Sequence, residues 1–291
     1  MNSLAGAATT GPQFLTARDT AHACEILQAG THRVIAGATD VFAQNPDRSV
    51  GALLDISRIE ALRGVTITED NVRIGAITTW SAIRDAALPA HMDALRQAAV
   101  TIGGVQIQNR ATIGGNVCNA SPAADGVLAL LALDASIDVA SVSGCRRLPL
   151  SAALDQNRRS LLGRNELLEA VIVPLKGTST SCFLKLGRRA NLAISVLACA
   201  VAIEWSPEGE IVTLRACIGA ASRAPMRLSR LERRLAGLSH LDHREALVTG
   251  ENVAALTPID DIRASADYRR HAAVVLLNRA ISRASEDYCH V

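Results

Sequence analysis

Two short segments without large side chains place the strongest constraint on how this chain folds. They are VIAGATDV at residues 34–41 and ATIGGNV at residues 111–117, and both follow apolar residues. Glycine is needed where the backbone adopts positive φ or approaches a neighbour closely. Turns of this kind can direct several backbone N–H groups towards one anion without any lysine. Each segment alone is more often only a tight connection, but the pair suits a long diphosphate ligand.

Several common nucleotide and hydrolase motifs are absent from the chain. No two of the 20 glycines are separated by a single residue, which excludes a G-x-G-x-x-G dinucleotide fingerprint. Gly6 and Gly11 have the spacing of a phosphate-binding loop, but Pro12 and Gln13 follow where Lys and Ser or Thr are required. The G-x-S-x-G elbow of serine hydrolases is also missing. We therefore expect no catalytic acid–base pair or nucleophile on this chain.

The composition argues against nucleic-acid binding and against a membrane-spanning segment in this chain. The net charge is only +2, and three Phe, two Trp and two Tyr offer few stacking surfaces. The longest apolar run, residues 192–203, holds 12 residues and includes Ser195. A bilayer requires about 20 apolar residues. The N-terminus lacks the features of a secretion signal.

The seven cysteines show no metal-binding or cluster-binding spacing. They lie at positions 24, 118, 145, 182, 199, 217 and 289, and no C-x-x-C pair occurs. The odd count predicts reduced thiols and a cytoplasmic protein. Most are expected to be small packing residues. His240 and His243 are one helical turn apart, but a surface pair is the simpler interpretation because no third ligand is evident.

The order of the predicted elements indicates two domains. Residues 13–56 predict a β-α-β unit, and residues 64–78 and 136–150 predict hairpins. A helix capped by Thr79 and another over residues 91–100 lie between them. A polar segment at residues 175–181 marks the expected boundary. Three strands follow, and then two helices at residues 226–235 and 268–285.

Taken with their neighbours, the two glycine segments resemble the FAD-binding medium subunit of the molybdenum hydroxylases, a family that includes xanthine dehydrogenase and aerobic carbon monoxide dehydrogenase. VIAGATDV is similar to the family's first flavin-phosphate loop, and VQIQNRATIGGNVCNASPAAD is similar to the second. FLKLGRRANLAISVLACAVAIE and LTPIDDIRASADYRRHAAVVLLNRAI resemble the start and end of the family's C-terminal domain. The resemblance covers nearly the whole chain, and the second loop is its most specific part.

The resemblance implies an α+β fold in two domains. The FAD-binding domain would span residues 1–176, with subdomains over about residues 1–57 and 58–176. A smaller C-terminal domain, residues 177–291, would contain a three-stranded antiparallel sheet and helices. FAD would lie extended between the domains.

The resemblance also implies a set of FAD contacts. Residues 35–41 would offer backbone groups to the diphosphate, and residues 112–116 would hold its other side and the ribityl chain. Ser121 and Asp125 would reach ribityl or adenosine hydroxyls, Leu168 would pack by the flavin, and Lys185 would approach its pyrimidine side. The full set is Ile35, Ala36, Gly37, Ala38, Thr39, Asp40, Val41, Thr112, Ile113, Gly114, Gly115, Asn116, Ser121, Asp125, Leu168 and Lys185. Judged without the resemblance, Lys185 is more typical of a strand lysine that reaches solvent, and Asp40 and Asp125 of loop caps.

The implied function is electron transfer within a complex. A large molybdopterin subunit would hydroxylate the substrate, and a small subunit with two [2Fe–2S] clusters would deliver electrons to FAD on this chain. NAD or another acceptor would take them, and the complex would be a dimer of heterotrimers. A flavin-free structural subunit and a stand-alone FAD oxidoreductase are the alternatives. Arg188 and Arg189 would face a partner subunit or simply lie on the surface.

The sequence departs from the family pattern at two positions. Ala38 stands where the first loop usually has glycine, and its methyl group disfavours positive φ. Ile102 stands where some eukaryotic relatives place an aromatic residue near the flavin. The cysteine-rich insertion of a few relatives is missing.

Overall fold

A computed structural model describes residues 13–42, 52–154, 162–189, 192–239 and 248–288 of the 291-residue chain. Within these residues, three β-sheets are packed in layers with helices between them. The order of the elements agrees with most of the sequence predictions. The differences lie at the second glycine segment and after the third strand of the C-terminal sheet.

The N-terminal layer is a small parallel sheet with one crossover helix. Strands β1 (Phe14–Thr16), β2 (Arg33–Ile35) and β3 (Leu53–Asp55) pair in the order β1-β3-β2. Helix α1 (Thr20–Ala29) connects β1 to β2. Asp19 caps this helix, because its side chain accepts a hydrogen bond of 2.8 Å from the His22 amide. The predicted β-α-β unit is confirmed.

The central layer is a five-stranded antiparallel sheet. Its strands in chain order are β4 (Val65–Ile67), β5 (Asn71–Gly75), β6 (Ser136–Ser141), β7 (Gly144–Pro149) and β8 (Leu167–Pro174). They pair in the order β4-β5-β8-β6-β7. Both predicted hairpins are therefore present, and β8 joins them.

Helices cover one face of this sheet. They are α2 (Trp80–Asp85), α3 (Asp93–Thr101), α4 (Val105–Gln108), α5 (Ile113–Asn119), α6 (Asp125–Ala132) and α7 (Leu150–Ala153). Thr79 caps α2 as predicted, accepting from the Ala82 amide at 3.3 Å. Short 3₁₀ turns occur at Glu60–Leu62, Ala90–Met92 and Gly250–Val253. Every residue of α6 is buried, so its apolar run is a core helix.

The C-terminal sheet is antiparallel. It contains β9 (Ser179–Leu186), β10 (Leu197–Trp205), β11 (Ile211–Gly219) and β12 (Met226–Arg227), in the order β12-β11-β10-β9. The three predicted strands are present, and the two-residue β12 adds a fourth. Helix α8 (Ser229–Leu235) therefore starts later than predicted, because residues 226 and 227 pair with β11. Helix α9 (Ala266–Tyr288) closes the described part of the chain.

Alternation along the C-terminal strands divides the core. Phe183, Ala198 and Ala200 face α3 and α6 in the main hydrophobic cluster, while Cys199 and Val201 face α8 and α9 in a second one. A third, smaller cluster lies between the parallel sheet and the central sheet. The main cluster thus contains residues from both sides of the boundary predicted near residue 176.

Among the described helices, none is long and apolar enough to cross a bilayer. The six cysteines within the described residues are unpaired thiols. Four of them are buried, as a packing role predicts, whereas Cys118 and Cys145 are exposed. Cys289, His240 and His243 lie outside the described residues.

Candidate functional site

The two glycine segments, residues 34–41 and 111–117, meet in the folded chain. A Cβ atom placed on Gly37 would lie 1.9 Å from the carbonyl oxygen of Arg110, the residue just before the second segment. The side chain of Asn119, two residues after the second segment, donates a 3.3 Å hydrogen bond to Asp40 Oδ2 in the first. The segments therefore form one surface of the molecule.

The first segment presents a run of backbone amides without partners. Ile35 ends β2, and its carbonyl accepts a hydrogen bond of 3.0 Å from the Ile56 amide. Beyond it, the amides of residues 36–40 donate no hydrogen bond to any described residue. Residues 36–39 and Val41 are half-buried, and Asp40 is exposed. Such a row of N–H groups at a bend is suited to bind an anion.

Ala38 adopts the backbone conformation that glycine favours. Its φ is 58°, in the left-handed region that costs an L-residue roughly 1 kcal/mol or more. The bend is thus kept although the methyl group disfavours it. Gly37 itself does not have positive φ, so the contact with Arg110 is what requires glycine there.

The second segment is a helix start, not the turn that the sequence predicted. Thr112 caps α5 by accepting a 3.1 Å hydrogen bond from the Gly115 amide. The Ile113 amide donates to the Thr78 carbonyl at 3.0 Å, and the Gly114 amide to the Ala76 carbonyl at 2.8 Å. The Asn116 amide bonds the Thr112 carbonyl at 3.0 Å. These four amides are occupied within the chain, in contrast to those of the first segment.

The residues of this segment therefore differ in what they can offer a ligand. Ile113 is fully buried in the core, and Gly114 is small because a Cβ there would lie 2.7 Å from the Ala76 carbonyl oxygen. Gly115 is exposed, and a Cβ there would meet only the Thr112 hydroxyl, at 3.0 Å. Asn116 is half-buried and accepts from the Val127 amide at 3.2 Å, which ties α5 to α6.

Asp125 and Lys185, both predicted to contact FAD, form a buried ion pair with each other. Lys185 Nζ lies 2.7 Å from Asp125 Oδ2, and their side chains are 13% and 5% exposed. The ammonium also donates to the Thr101 carbonyl at 3.1 Å. Ser195 donates to Asp125 Oδ1 at 2.6 Å. The pair joins the first residue of α6 to β9, and sequence spacing does not show such a contact.

Lys185 also lines an open pocket of ≈ 570 Å³ between α3 and the end of β9. Thr101 and Arg189 contribute to the same wall. The pocket therefore combines apolar side chains with cationic groups. Ile102, at the end of α3, is half-buried and packs on the main cluster.

The remaining predicted residues lie close to the protein's own backbone or core. Ser121 Oγ accepts a hydrogen bond of 3.3 Å from the Ala123 amide, which orders the turn before α6. Leu168 on β8 is 3% exposed and belongs to the main cluster, together with Val117 of α5. Arg188 donates to the Ile262 carbonyl in the segment before α9, whereas Arg189 donates locally to the Leu192 carbonyl, three residues ahead.

Sequence analysis missed Thr101 and Ser195 as members of this cluster. Ser195 left a detectable signal, because it is the one polar residue in the apolar run at residues 192–203. Thr101 left none, since it acts through its backbone carbonyl. Within the described residues, His, Cys, Asp and Glu side chains form no group of three suited to a metal ion.

Two protein families match the chain over most of its length. The family described as "FAD binding domain in molybdopterin dehydrogenase" matches residues 9–176, and "CO dehydrogenase flavoprotein C-terminal domain" matches residues 182–284. The chain belongs to the FAD-binding subunits of the molybdenum hydroxylases. The resemblance inferred from the two glycine segments is thereby confirmed.

Several relatives match this FAD-binding subunit over most of its length. It is 33% identical to the nicotinate dehydrogenase FAD-subunit of Eubacterium barkeri, over 78% of this chain and 76% of that one. It is 32% identical to the xanthine dehydrogenase FAD-binding subunit of Escherichia coli O157:H7, over 87% and 88% of the two chains. The carbon monoxide dehydrogenase medium chain of Hydrogenophaga pseudoflava is 27% identical over 89% and 88%.

Solved structures show the same fold. Reconstituted CO dehydrogenase from Oligotropha carboxidovorans superposes with a TM-score of 0.87, at 24% identity, covering 95% of this subunit and 98% of that chain. Quinoline 2-oxidoreductase from Pseudomonas putida 86 gives a TM-score of 0.85 at 20% identity, over 96% and 98%. The predicted α+β architecture with a C-terminal antiparallel sheet is thus confirmed.

Proposed function

We propose that this subunit holds FAD and transfers electrons from iron–sulfur clusters of a partner subunit to NAD or another acceptor. The observation that carries the proposal is the row of unpartnered amides at residues 36–40, packed against residues 110 and 111 just before α5 and bonded to Asn119 at its end, in a chain of an FAD-binding family. An FAD diphosphate is an anion that such a row can bind without a lysine. The residues present therefore fit the cofactor.

The two segments would hold FAD by different groups. Residues 36–40 would bind the diphosphate through their amides. Thr112 and Asn116 would act through their side chains, because the amides of residues 113–116 are occupied. The bare, exposed Cα of Gly115 would allow the ligand to approach α5. This division replaces the expectation that backbone amides act at both segments.

The other assigned residues would surround the ribityl chain and the ring. Ser121 would bind a hydroxyl group, and Leu168 would support the flavin from the core. Lys185 would present its ammonium to the ring, held there by Asp125. Bound FAD supplies the redox chemistry, since it exchanges one or two electrons, while the protein binds, orients and tunes it.

The expected partners follow from the names of the relatives. Those names are "FAD-subunit", "FAD-binding subunit" and "medium chain", which describe one member of a complex. We propose a large molybdopterin subunit and a small [2Fe–2S] subunit, assembled as a dimer of heterotrimers in the cytoplasm. We also propose that the chain divides into two domains near residue 176, which limited proteolysis would test.

The deciding experiment is to express the chain with its neighbouring genes and to examine the purified product. Flavin absorbance, with FAD released on denaturation, would support the proposal. A colourless complex would instead support a flavin-free structural subunit. A yellow chain that purifies alone and turns over a substrate would indicate a stand-alone oxidoreductase.

A matched pair of variants tests the site itself. Gly115→Leu adds a side chain on the exposed side of α5, where its Cβ would meet only the Thr112 hydroxyl, at 3.0 Å, so FAD content should fall strongly while the fold remains. Gly177→Leu is the control, because Gly177 is also exposed and a Cβ there would meet no atom within 4 Å. Equal FAD content in both variants would contradict the proposed position of the cofactor.

Electron transfer needs a separate measurement. Reducing the intact complex with its substrate should bleach the flavin, and adding the acceptor should restore the absorbance. Flavin that is bound yet not reduced by substrate would show that this subunit binds FAD without serving the electron path.

A further inference from the structure

We propose that Ser195 is a positioning residue: it fixes the carboxylate of Asp125, and that carboxylate holds the Lys185 ammonium at the pocket beside α3. The inference rests on the proposed function, because the ammonium matters only if a flavin ring is the group it meets. It adds Ser195, from the segment before β10, to the residues of the cofactor site. It also gives the Asp125–Lys185 ion pair a role in cofactor binding besides its role in folding.

The carboxylate of Asp125 is divided between two donors. Ser195 Oγ bonds Oδ1 at 2.6 Å, and Lys185 Nζ bonds Oδ2 at 2.7 Å. Both bonds involve an ionised partner and are among the stronger hydrogen bonds in proteins. Rotation of the carboxylate would break both, so the serine bond opposes any rotation that releases the ammonium.

Thr101 does not replace Ser195 in this task. Its hydroxyl lies 2.9 Å from the Ala98 carbonyl oxygen and 3.5 Å from Asp125 Oδ2. A hydroxyl has one proton, and the shorter contact receives it. The role of Thr101 is to accept from Lys185 through its own carbonyl at 3.1 Å.

The ammonium of Lys185 therefore keeps one donor for a ligand. It has three N–H groups, of which Asp125 and Thr101 take two within the described residues. The lysine lines the pocket, so the third group can reach an acceptor there. A fixed cation with one remaining N–H suits an electron-rich carbonyl edge such as that of a flavin ring.

The backbone around Ser195 is itself held in place. The Val196 amide donates to the Leu186 carbonyl at 2.8 Å, on the strand that carries Lys185. The Val196 carbonyl accepts a 2.7 Å bond from Arg269, which is 3% exposed. Ser195 itself is 2% exposed. A serine on such a rigid support can fix its partner, as preorganised sites require.

Three variants of the full chain test the role: Ser195→Ala, Lys185→Met and the double variant. Ser195→Ala should weaken FAD binding about five- to tenfold, less than the loss of a direct hydrogen bond to a charged group, because the serine acts on the flavin only through Asp125 and Lys185. It should also lower the midpoint potential of bound FAD, because a less localised cation stabilises the reduced ring less. Lys185→Met should lower the FAD affinity and the midpoint potential more than Ser195→Ala does. In the Lys185→Met background, Ser195→Ala should have no further effect on either.

Ser181→Ala is the matched control. Ser181 is also 2% exposed and lies on β9, the strand of Lys185. Its hydroxyl donates to the His91 carbonyl oxygen at 2.7 Å and accepts from the Ala94 amide at 2.9 Å, so it is a buried, bonded serine that does not contact Asp125. It should cost stability without changing the potential.

The outcomes separate this inference from the proposed function. Wild-type chain that binds no FAD would overturn the proposed function, and the inference with it. Wild-type chain that binds FAD, with Ser195→Ala no different from Ser181→Ala in affinity and potential, would overturn the inference alone. Additive effects of Ser195→Ala and Lys185→Met would also overturn it, since Ser195 would then act independently of the lysine.

Discussion

Gly37 lies directly against the carbonyl group of Arg110. A Cβ on Gly37 would be 1.9 Å from the carbonyl oxygen and 2.7 Å from the carbonyl carbon. Both are backbone atoms, so no side-chain rotation can relieve the contact. Since the φ of Gly37 is not positive, close approach alone explains the glycine. This contact brings the end of β2 against the start of the second glycine segment.

We expect Gly37→Ala to separate the two glycine segments. The methyl group would overlap Arg110, so the first segment must shift, at a cost of about 1–3 kcal/mol in the free energy of unfolding. FAD content should fall by a larger fraction than the free energy of unfolding does, because the shift displaces the amides of residues 36–40. Denaturant unfolding and flavin absorbance of the purified complex would measure the two effects.

Gly177→Ala is the control for this substitution. The added Cβ would meet no atom within 4 Å, and FAD content should stay at the wild-type level. Normal FAD binding by Gly37→Ala would show that the cofactor does not depend on contact between the segments.

Ala38→Gly should stabilise the protein. Ala38 has a φ of 58°, and glycine removes the steric cost at that angle. Glycine also increases the entropy of the unfolded chain, so the net gain should be about 0.5–1 kcal/mol. Thermal unfolding would measure it. Ala36→Gly, at a position without positive φ, should destabilise instead, and a gain at both positions would mean that strain is not the cause.

Local sequence patterns were sufficient to predict most elements of the fold. Thr79 was predicted as a helix cap because a capping side chain bonds an amide only three residues ahead. The hairpins β4-β5 and β6-β7 were predicted because short turns join strands of alternating character. These features depend on interactions between residues that are close in sequence, so one sequence is enough to predict them.

Features set by distant contacts could not be predicted in the same way. Gly114 and Gly115 suggested a turn, yet Thr112 and the carbonyls of Thr78 and Ala76 stabilise a helix there. Asp125 and Lys185 are 60 residues apart, and only the packing of α6 on the C-terminal sheet makes them partners. Ligand contacts were predicted for both, and the structure shows their mutual contact.

Breaking the Asp125–Lys185 pair from one side should cost more than removing it from both. Asp125→Asn or Lys185→Met leaves a buried charge without its partner, at a cost of roughly 2–4 kcal/mol, allowing for the partial exposure of Lys185. The double variant should lose less than the sum of the two. Urea unfolding of all four proteins gives the coupling energy, expected at about 1–3 kcal/mol.

An exposed ion pair provides the comparison. Arg18 and Asp19 lie 3.5 Å apart with side chains 75% and 56% exposed. Arg18→Met should cost less than about 1 kcal/mol, because solvent screens such pairs. If the coupling energy between Asp125 and Lys185 is no larger than the cost of Arg18→Met, burial adds nothing to their interaction.

Acid should destabilise the folded chain through His91. This side chain is 6% exposed, and its Nε2 lies 3.2 Å from the Pro174 carbonyl oxygen. Burial lowers the pKa of His91, the charge of Lys176 lowers that pKa further, and Pro174 and Asp93 oppose the shift. Because the carbonyl oxygen can only accept, the neutral ring carries its proton on Nε2.

The direction of the effect follows from proton binding. The unfolded chain protonates His91 below about pH 6.5, whereas the folded chain stays neutral until the pH reaches its lower pKa. The stability that neutral His91 allows above about pH 6.5 is therefore lost as the pH falls through that interval, by at most about 1.4 kcal/mol per pH unit. His91→Gln should reduce the difference in unfolding free energy between about pH 7.5 and about pH 5.5. His271→Gln, at an exposed position on α9, is the control, and an equal reduction there would assign the effect to histidine content and not to the burial of His91.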